Sequence, residues 1–333
     1  MKIIVDAFGG DNSPEEILKG CADAAKEMNV EILLSGNRDK ILKAAAAEGL
    51  TDIIKSMEIL HCEDALGMED EPGSILKRPE SSMAVGLKAL ADGRGDAFAS
   101  AGNSGALVVG STMLVKRIKG VRRVTFAPVL PKKSGFFMLA DGGANVDCRP
   151  GMLMQFGLMG SIYMKHVMGV ETPRVALVNV GSEPGKGDEL RIEAYKLLQE
   201  QTAINFTGNV EAREIPYDGA DVVVTDGFNG NVLLKLYEGL AGALMDMIKD
   251  VFNKSAKNKL AAALVLKDMK QMKKALDYNE YGGAPIMGVS KPVFKIHGSA
   301  RASTVKSGIR LTRDYVDSGI TGIIAEALGK GQV

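Results

Sequence analysis

Six short polar turns hold the residues of this sequence that could do chemistry. They read DAFGGD from Asp6, AGNSGA from Ala101, DGGANVD from Asp141, NVGSEPGKGDE from Asn179, DGFNGN from Asp226 and HGSA from His297. Glycines in such turns let the backbone approach a ligand closely or take positive φ. Asn103, Asn145, Asn229 and Asn231 can each donate and accept hydrogen bonds, and Ser104 and Ser182 add hydroxyls. Lys186 lies between Gly185 and Gly187, where it serves either as a point cation for phosphate or as a solvated loop lysine. Asp226 can accept a proton, hold Lys186, or simply cap a helix. This inventory suits binding a phosphate and stabilising an oxyanion. It does not suit covalent catalysis, because Cys148 has no identifiable base beside it and there is no GxSxG elbow. Neither a GxxxxGK[ST] loop nor a GxGxxG turn in strand–helix context is present, which argues against nucleotide chemistry. His61, His166 and His297 are the only histidines and are far apart, so no metal site is expected.

An alternation of strands and helices must position these turns. Asp221–Thr225 is a β-branched run of the kind found in buried parallel strands. After DGFNGN, Leu233, Leu236, Tyr237, Leu240, Leu244, Ile248 and Val251 recur at helical spacing. The turn therefore sits at a helix start, where unpaired N–H groups and the helix dipole favour an anion. Gly230 is part of that turn. Further strands are read at 2–5, 31–34, 57–61, 97–100, 136–140, 174–180, 206–208 and 293–296, most of them followed by a helical segment. Ser13 reads as the N-cap and Pro14 as the first residue of a helix running to about Met28. Residues 63–80 are acidic and punctuated by Pro and Gly, as in a mobile rim. The alternation predicts an α/β fold with a doubly wound, mostly parallel sheet. Ligands in such sheets bind beyond the carboxyl ends of the strands, so the topology would gather the turns on one edge.

The chain has 333 residues, enough for one large unit or two lobes, and residues 1–333 are read as a single catalytic unit. Its formal net charge is zero, which argues against nucleic acid as a partner. Cys21, Cys62 and Cys148 are widely spaced and fit a reducing cytoplasm. The opening MKIIVDAFGGD reads as a strand and turn, not a signal peptide, and no apolar run approaches the roughly 20 residues that span a bilayer. Segment 253–274 is distinct. It carries seven lysines against one aspartate and contains LAAALVL at 260–266. It reads as a protruding basic amphipathic helical segment, with Ala262, Val265, Leu266, Met269, Met272 and Leu276 on one face. A second basic cluster lies at 116–123.

The motifs VDAFGGDNSP, SAGNSGAL, RIKGVRR, DGGANVD, NFTGNVEAR, DVVVTDGFNGNVLLK and YGGAPIMGVSKPVFKIHGS fall in order between residues 3 and 299. Together they resemble the bacterial PlsX-type phosphate acyltransferases (acyl-ACP:phosphate acyltransferases). Phe8 stands where that family usually has Met. The resemblance implies two α/β lobes around a cleft, as in isocitrate/isopropylmalate dehydrogenases and phosphotransacetylase, assembled as a homodimer. It implies attack of inorganic phosphate on a fatty acyl–acyl carrier protein thioester, without a cofactor. The acyl phosphate would feed phospholipid synthesis through a membrane glycerol-3-phosphate acyltransferase. On this reading Lys186, Asp226, Asn231 and His297 are expected to be catalytic. Asn103, Ser104, Asn145, Ser182, Asn229 and Gly230 are expected to bind phosphate or substrate. Leu260, Leu264, Leu266, Lys257 and Lys259 are expected to meet the acidic carrier protein or the inner face of the cell membrane. Two rival readings remain at this stage. One is a dehydrogenase with a metal held among Asp6, Asp11, Asp141, Asp147 and Asp226, and the other is a membrane-recruited scaffold for the carrier protein.

Overall fold

The computed structural model describes residues 1–276 and 283–329, so Tyr281 and Gly282 of the YGGAP motif lie outside the described residues. Twelve strands among them are β1 Lys2–Asp6, β2 Glu31–Gly36, β3 Glu58–His61, β4 Ala97–Ser100, β5 Thr125–Phe126, β6 Val129–Lys132, β7 Gly135–Ala140, β8 Arg174–Asn179, β9 Asn205–Glu211, β10 Val222–Val224, β11 Ala284–Met287 and β12 Val293–Lys295. They form two sheets. The larger has the order β3-β2-β1-β4-β12-β11-β5, and the smaller β6-β7-β10-β8-β9. The central strands of both are parallel, while β11, β5 and β6 pair antiparallel at the margins.

Parallel pairing requires a crossover after each strand and leaves successive carboxyl ends on one edge. The ends of β1, β4 and β12 are neighbours in the larger sheet, and those of β7, β10 and β8 are neighbours in the smaller. The six turns thus gather as two groups of three. One continuous apolar core joins the sheets, running from Ile3 and Val5 through Ala99 and Phe294 to Met138, Leu177 and Val224. Methionines of the helix Pro150–His166 fill it, as their shape adaptability suits, with Met152, Met159 and Met164 all buried. Phe294 meets Tyr315 edge to face at 5.3 Å between ring centroids, which seats the helix Ala302–Asp317 on β12.

Several local expectations are revised. Ser13 does not cap the first helix, Glu15–Met28. Its hydroxyl turns back to donate to the Gly10 carbonyl, which tightens the β1 turn instead. The segment after AGNSGA is an α-helix only over Ser104–Gly110 and continues as a π-turn, Ser111–Val115. Segment 253–274 is not one amphipathic helix. It is divided at Val265 into Ala256–Leu264 and Leu266–Leu276. The side chains of Lys273, Lys274 and Leu276 are not among those described.

In the smaller sheet the turns after β7 and β10 touch backbone to backbone. A Cβ on Gly230 would lie 1.7 Å from the Asp141 carbonyl oxygen, and one on Gly227 would lie 2.6 Å from that of Asn145. The Gly227 N–H donates to the same Asn145 carbonyl at 2.7 Å. Gly230→Ala is expected to cost about 3 kcal/mol of stability through overpacking against rigid backbone. Urea unfolding measures this, and wild-type stability in the variant would show that the two turns can part freely.

Candidate active site

The helix Gly227–Asn253 begins where β10 ends. Asp226 is its N-cap, with Oδ1 accepting from the Asn229 N–H at 3.0 Å and Oδ2 from the Asn229 side chain at 2.8 Å. The cation beside Asp226 is Arg191, whose guanidinium is hydrogen-bonded to Oδ2. The expected pairing with Lys186 is not found; Arg191, five residues further along the chain, takes that place. β10 lies between β7 and β8, so the loop after β8 flanks the far side of the DGFNGN turn. There Asn179 fixes the loop by donating to the Lys186 carbonyl at 2.9 Å, and the Lys186 and Ser182 residues are exposed.

Asp141 anchors the turn after β7. Its carboxylate accepts from the N–H groups of Phe126, Gly143, Ala144 and Asn145 and from the Asn145 side chain, at 2.8–3.1 Å. Burial pushes its carboxyl up, and these donors oppose that. Asn145 also donates to the Val124 carbonyl at 2.7 Å, so its side chain braces the turn. Asn103 has a similar task. It caps the helix Ser104–Gly110 by accepting from the Ala106 N–H, and it donates to the carbonyls of Met68 and Asp70, each at 2.8 Å. It therefore ties the rim at 63–80 to the β4 turn. Asp6 is buried, accepts from Ser100 at 2.8 Å and from the Phe8 N–H, and its carboxyl is pushed up by burial.

Between the two groups of turns lies a cavity of about 500 Å³. Ser104, Asn231, His297, Ser299, Lys235, Glu238, Lys295 and Asp11 form its polar wall, and Val108, Val109, Phe126, Val129, Leu130 and Leu234 form an apolar flank. The structure thus brings Ser104, Asn231 and His297 together, from both sheets. Asn103, Asn145, Asp226, Asn229 and Gly230 support the wall from behind, and Lys186 and Ser182 stand apart from it.

His297 accepts at Nδ1 from the Ser299 N–H at 3.3 Å, which places the proton of the neutral ring on Nε2, 4.0 Å from Glu238. Glu238 also pairs with Lys235 at 3.0 Å. Burial holds the His297 imidazole below its ordinary range, with Lys295 and Lys235 acting in the same direction. Sequence reasoning missed Lys235, Glu238, Lys295 and Arg191, and considered Asp11 only as a metal ligand in the dehydrogenase reading. Asn231, Lys235 and Glu238 are spaced i, i+4, i+7, a pattern that marks one helix face. Lys295 is a lysine inside the apolar run PVFKI. Among the described residues, no group of three His, Cys, Asp or Glu side chains is placed to hold a metal.

The chain shares its fold with EutD phosphotransacetylase from Staphylococcus aureus, with a TM-score of 0.62 at 17% identity over 94% of each chain. A branched-chain phosphotransacylase from Enterococcus faecalis gives 0.59 at 15% identity, over 95% of this chain and 99% of that one. More specifically, the family model described as "Fatty acid synthesis protein" matches residues 1–322, and the chain belongs to that family. Its relatives include the phosphate acyltransferases of Acetivibrio thermocellus, 47% identical over 93% of this chain and 91% of the relative, and of Alkaliphilus oremlandii, 43% identical over 98% and 97%.

Burial lowers the Lys295 ammonium to about 7. A lysine whose folded value lies below its unfolded one penalises the fold fully below about pH 7, and the penalty fades as pH rises from there toward the unfolded value. Lys295→Met is therefore expected to be more stable than wild type at pH 6 by on the order of 3 kcal/mol, with the gap closing toward pH 10. Urea unfolding of both proteins across this range checks it, and a pH-independent gap would mean Lys295 titrates normally.

Proposed function

We propose that the chain transfers a fatty acyl group from an acyl carrier protein thioester to inorganic phosphate. The products are acyl phosphate and the free carrier thiol. One observation carries this reading: a single cavity joins a cationic, amide-rich end to an apolar flank, in a chain whose relatives at 41–47% identity are phosphate acyltransferases. Phosphate is already a nucleophile at neutral pH, so the site must position it against the carbonyl and stabilise the tetrahedral oxyanion. Ser104, Asn231 and the Nε2–H of neutral His297 are the donors for that task. No residue needs to form a covalent intermediate. The experiment is to supply palmitoyl–acyl carrier protein and phosphate and to measure acyl phosphate as its hydroxamate. Thiol release without hydroxamate would mean hydrolysis and would end this reading.

The helix Gly227–Asn253 and what comes after it support a reading of the cellular setting. Phe228, Val232, Leu236, Leu240, Leu244, Met247 and Val251 are all exposed and recur every three or four residues along it. A stripe of that length suits pairing with the same stripe of a second copy, as a homodimer. Beyond it, Leu260, Leu264 and Leu266 are exposed beside Lys257 and Lys259. Apolar tips among lysines suit an anionic lipid surface, and the basic residues also suit an acidic carrier protein. No described helix is long and apolar enough to cross a membrane. The protein would then work in the cytoplasm, resting peripherally on the inner face of the cell membrane, where a glycerol-3-phosphate acyltransferase takes up acyl phosphate. The 116–123 cluster, with Lys116, Arg117, Lys119, Arg122 and Arg123 exposed, is the competing carrier-protein surface. Leu240→Glu/Leu244→Glu should convert a dimer to monomer in light scattering, while Leu260→Glu/Leu264→Glu should abolish flotation with phosphatidylglycerol vesicles and leave the dimer intact. A monomeric wild type, or unchanged flotation, would remove the corresponding claim.

A further inference from the structure

Among the described residues two lysines are almost wholly buried, and they are treated differently. Lys132 is 8% exposed, and its ammonium meets Asp218 at 2.8 Å, Asp221 at 2.9 Å and the Ala220 carbonyl. Arg174 reinforces both carboxylates, so this buried cation is fully matched within the fold. Lys295 is 6% exposed and lines the cavity. Its ammonium donates only to two carbonyls, Ala101 at 3.0 Å and Ile296 at 2.5 Å, and among the described residues it has no carboxylate partner. An ammonium has three donors, and a buried cation left without a counter-charge is costly. A second lysine lies near it. Lys235, on the long helix, lines the same cavity and depresses the basicity of Lys295 by repulsion. Asp11, which lines the same cavity, and Asp6 oppose this by attraction without a hydrogen bond to Lys295, His297 is held neutral, and Glu238 is paired with Lys235. Lys295, buried with a donor to spare, and Lys235, whose exposed side chain can leave Glu238 for a ligand, converge on one cavity and leave room for a small dianion.

Resting on the acyltransfer reading above, we propose that Lys295 and Lys235 form the seat of the attacking phosphate, at the end of the cavity bounded by β12 and the long helix. Lys295 holds one phosphate oxygen from within the wall, and Lys235 closes on another from the mouth. Neighbouring Ser104, Asn231 and His297 are then left to face the thioester carbonyl. A phosphate oxygen forms the new bond to carbon, the carbon–sulfur bond breaks, and its electron pair leaves on sulfur. The proton of hydrogen phosphate is carried to that thiolate, so nothing else is consumed. This locates phosphate within the cavity, whereas Lys186 stands apart from it.

The test uses inorganic phosphate and the full-length protein. Lys295→Met should raise the phosphate KM about 30-fold and Lys235→Met, an exposed position tolerant of substitution, about 5-fold, with the acyl–carrier protein KM within about twofold of wild type. Calorimetry in two buffers of different ionisation enthalpy adds a readout independent of turnover. Near pH 8.5, where phosphate is already dianionic, binding should draw a proton onto Lys295 in wild type and none in Lys295→Arg, whose guanidinium is always charged. An unchanged phosphate KM in both methionine variants, or loss of phosphate binding in Lys186→Met with retention in Lys295→Met, would overturn the assignment. If wild type binds phosphate with proton uptake but forms no acyl phosphate, the seat stands and the acyltransfer reading falls. If Lys295→Met does not fold, Lys235→Met and the wild-type proton uptake still decide.

Discussion

The position of the site residues depends on how closely the turn after β10 packs on the turn after β7. Two glycines without side chains, Gly227 and Gly230, let the start of the long helix rest directly on the backbone of Asp141 and Asn145. Hydrogen bonds then lock the pair, from Asp141 N–H to the Thr225 carbonyl and from Thr225 N–H to the Ala140 carbonyl. The buried Asp141 carboxylate gathers five donors and fixes the partner turn. The larger sheet uses the same device. A Cβ on Gly9 would lie 2.6 Å from the Gly102 N, and one on Gly10 would lie 2.6 Å from the Gly298 carbonyl oxygen. Each group of turns is thus a rigid backbone block, and the cavity is the space between the blocks.

That arrangement explains what was legible in the sequence. Glycine and asparagine clusters after apolar runs signal strand-end turns, and parallel topology brings them to one edge, so the fold and the set of turns could be read. The division of labour among the polar residues could not. Asn145 and Asn103 look like ligand-binding residues in sequence, yet each is engaged by main-chain groups up to 35 residues away. Asp226 and Lys186 follow adjacent strands, β10 and β8, yet Asn179 holds the Lys186 main chain and Arg191 meets Asp226 instead. Strands β5, β6 and β11 went unread because they are short and antiparallel, and two of them contain proline, a residue that argues against a strand. The break at Val265 escaped a helical-wheel reading because a wheel assumes a continuous helix.

The two buried lysines show why composition alone misleads about charge. Both sit in strands among apolar neighbours, and sequence gives no means to tell them apart. Lys132 finds Asp218 and Asp221 only because β6 and β10 lie on either side of β7, one strand apart in the sheet. Lys295 finds only carbonyls because it closes β12 at the cavity edge, where the neighbouring strand ends in Ser100 and Ala101. A fold that compensates one buried ammonium with two carboxylates and leaves another uncompensated has placed the second where a ligand can supply the missing charge.

The long helix joins these features without mixing them. Asn231, Lys235 and Glu238 face the cavity from its first turns, while Val232, Leu236, Leu240 and Leu244 face outward along another side. Its 27 residues span about 40 Å. The segment after it does not simply extend it, because the helix Leu266–Leu276 returns to touch β6. Contacts made by that basic segment can govern where the protein sits or what it meets. The chemistry lies with the two blocks of turns and the charged side chains that line the cavity between them.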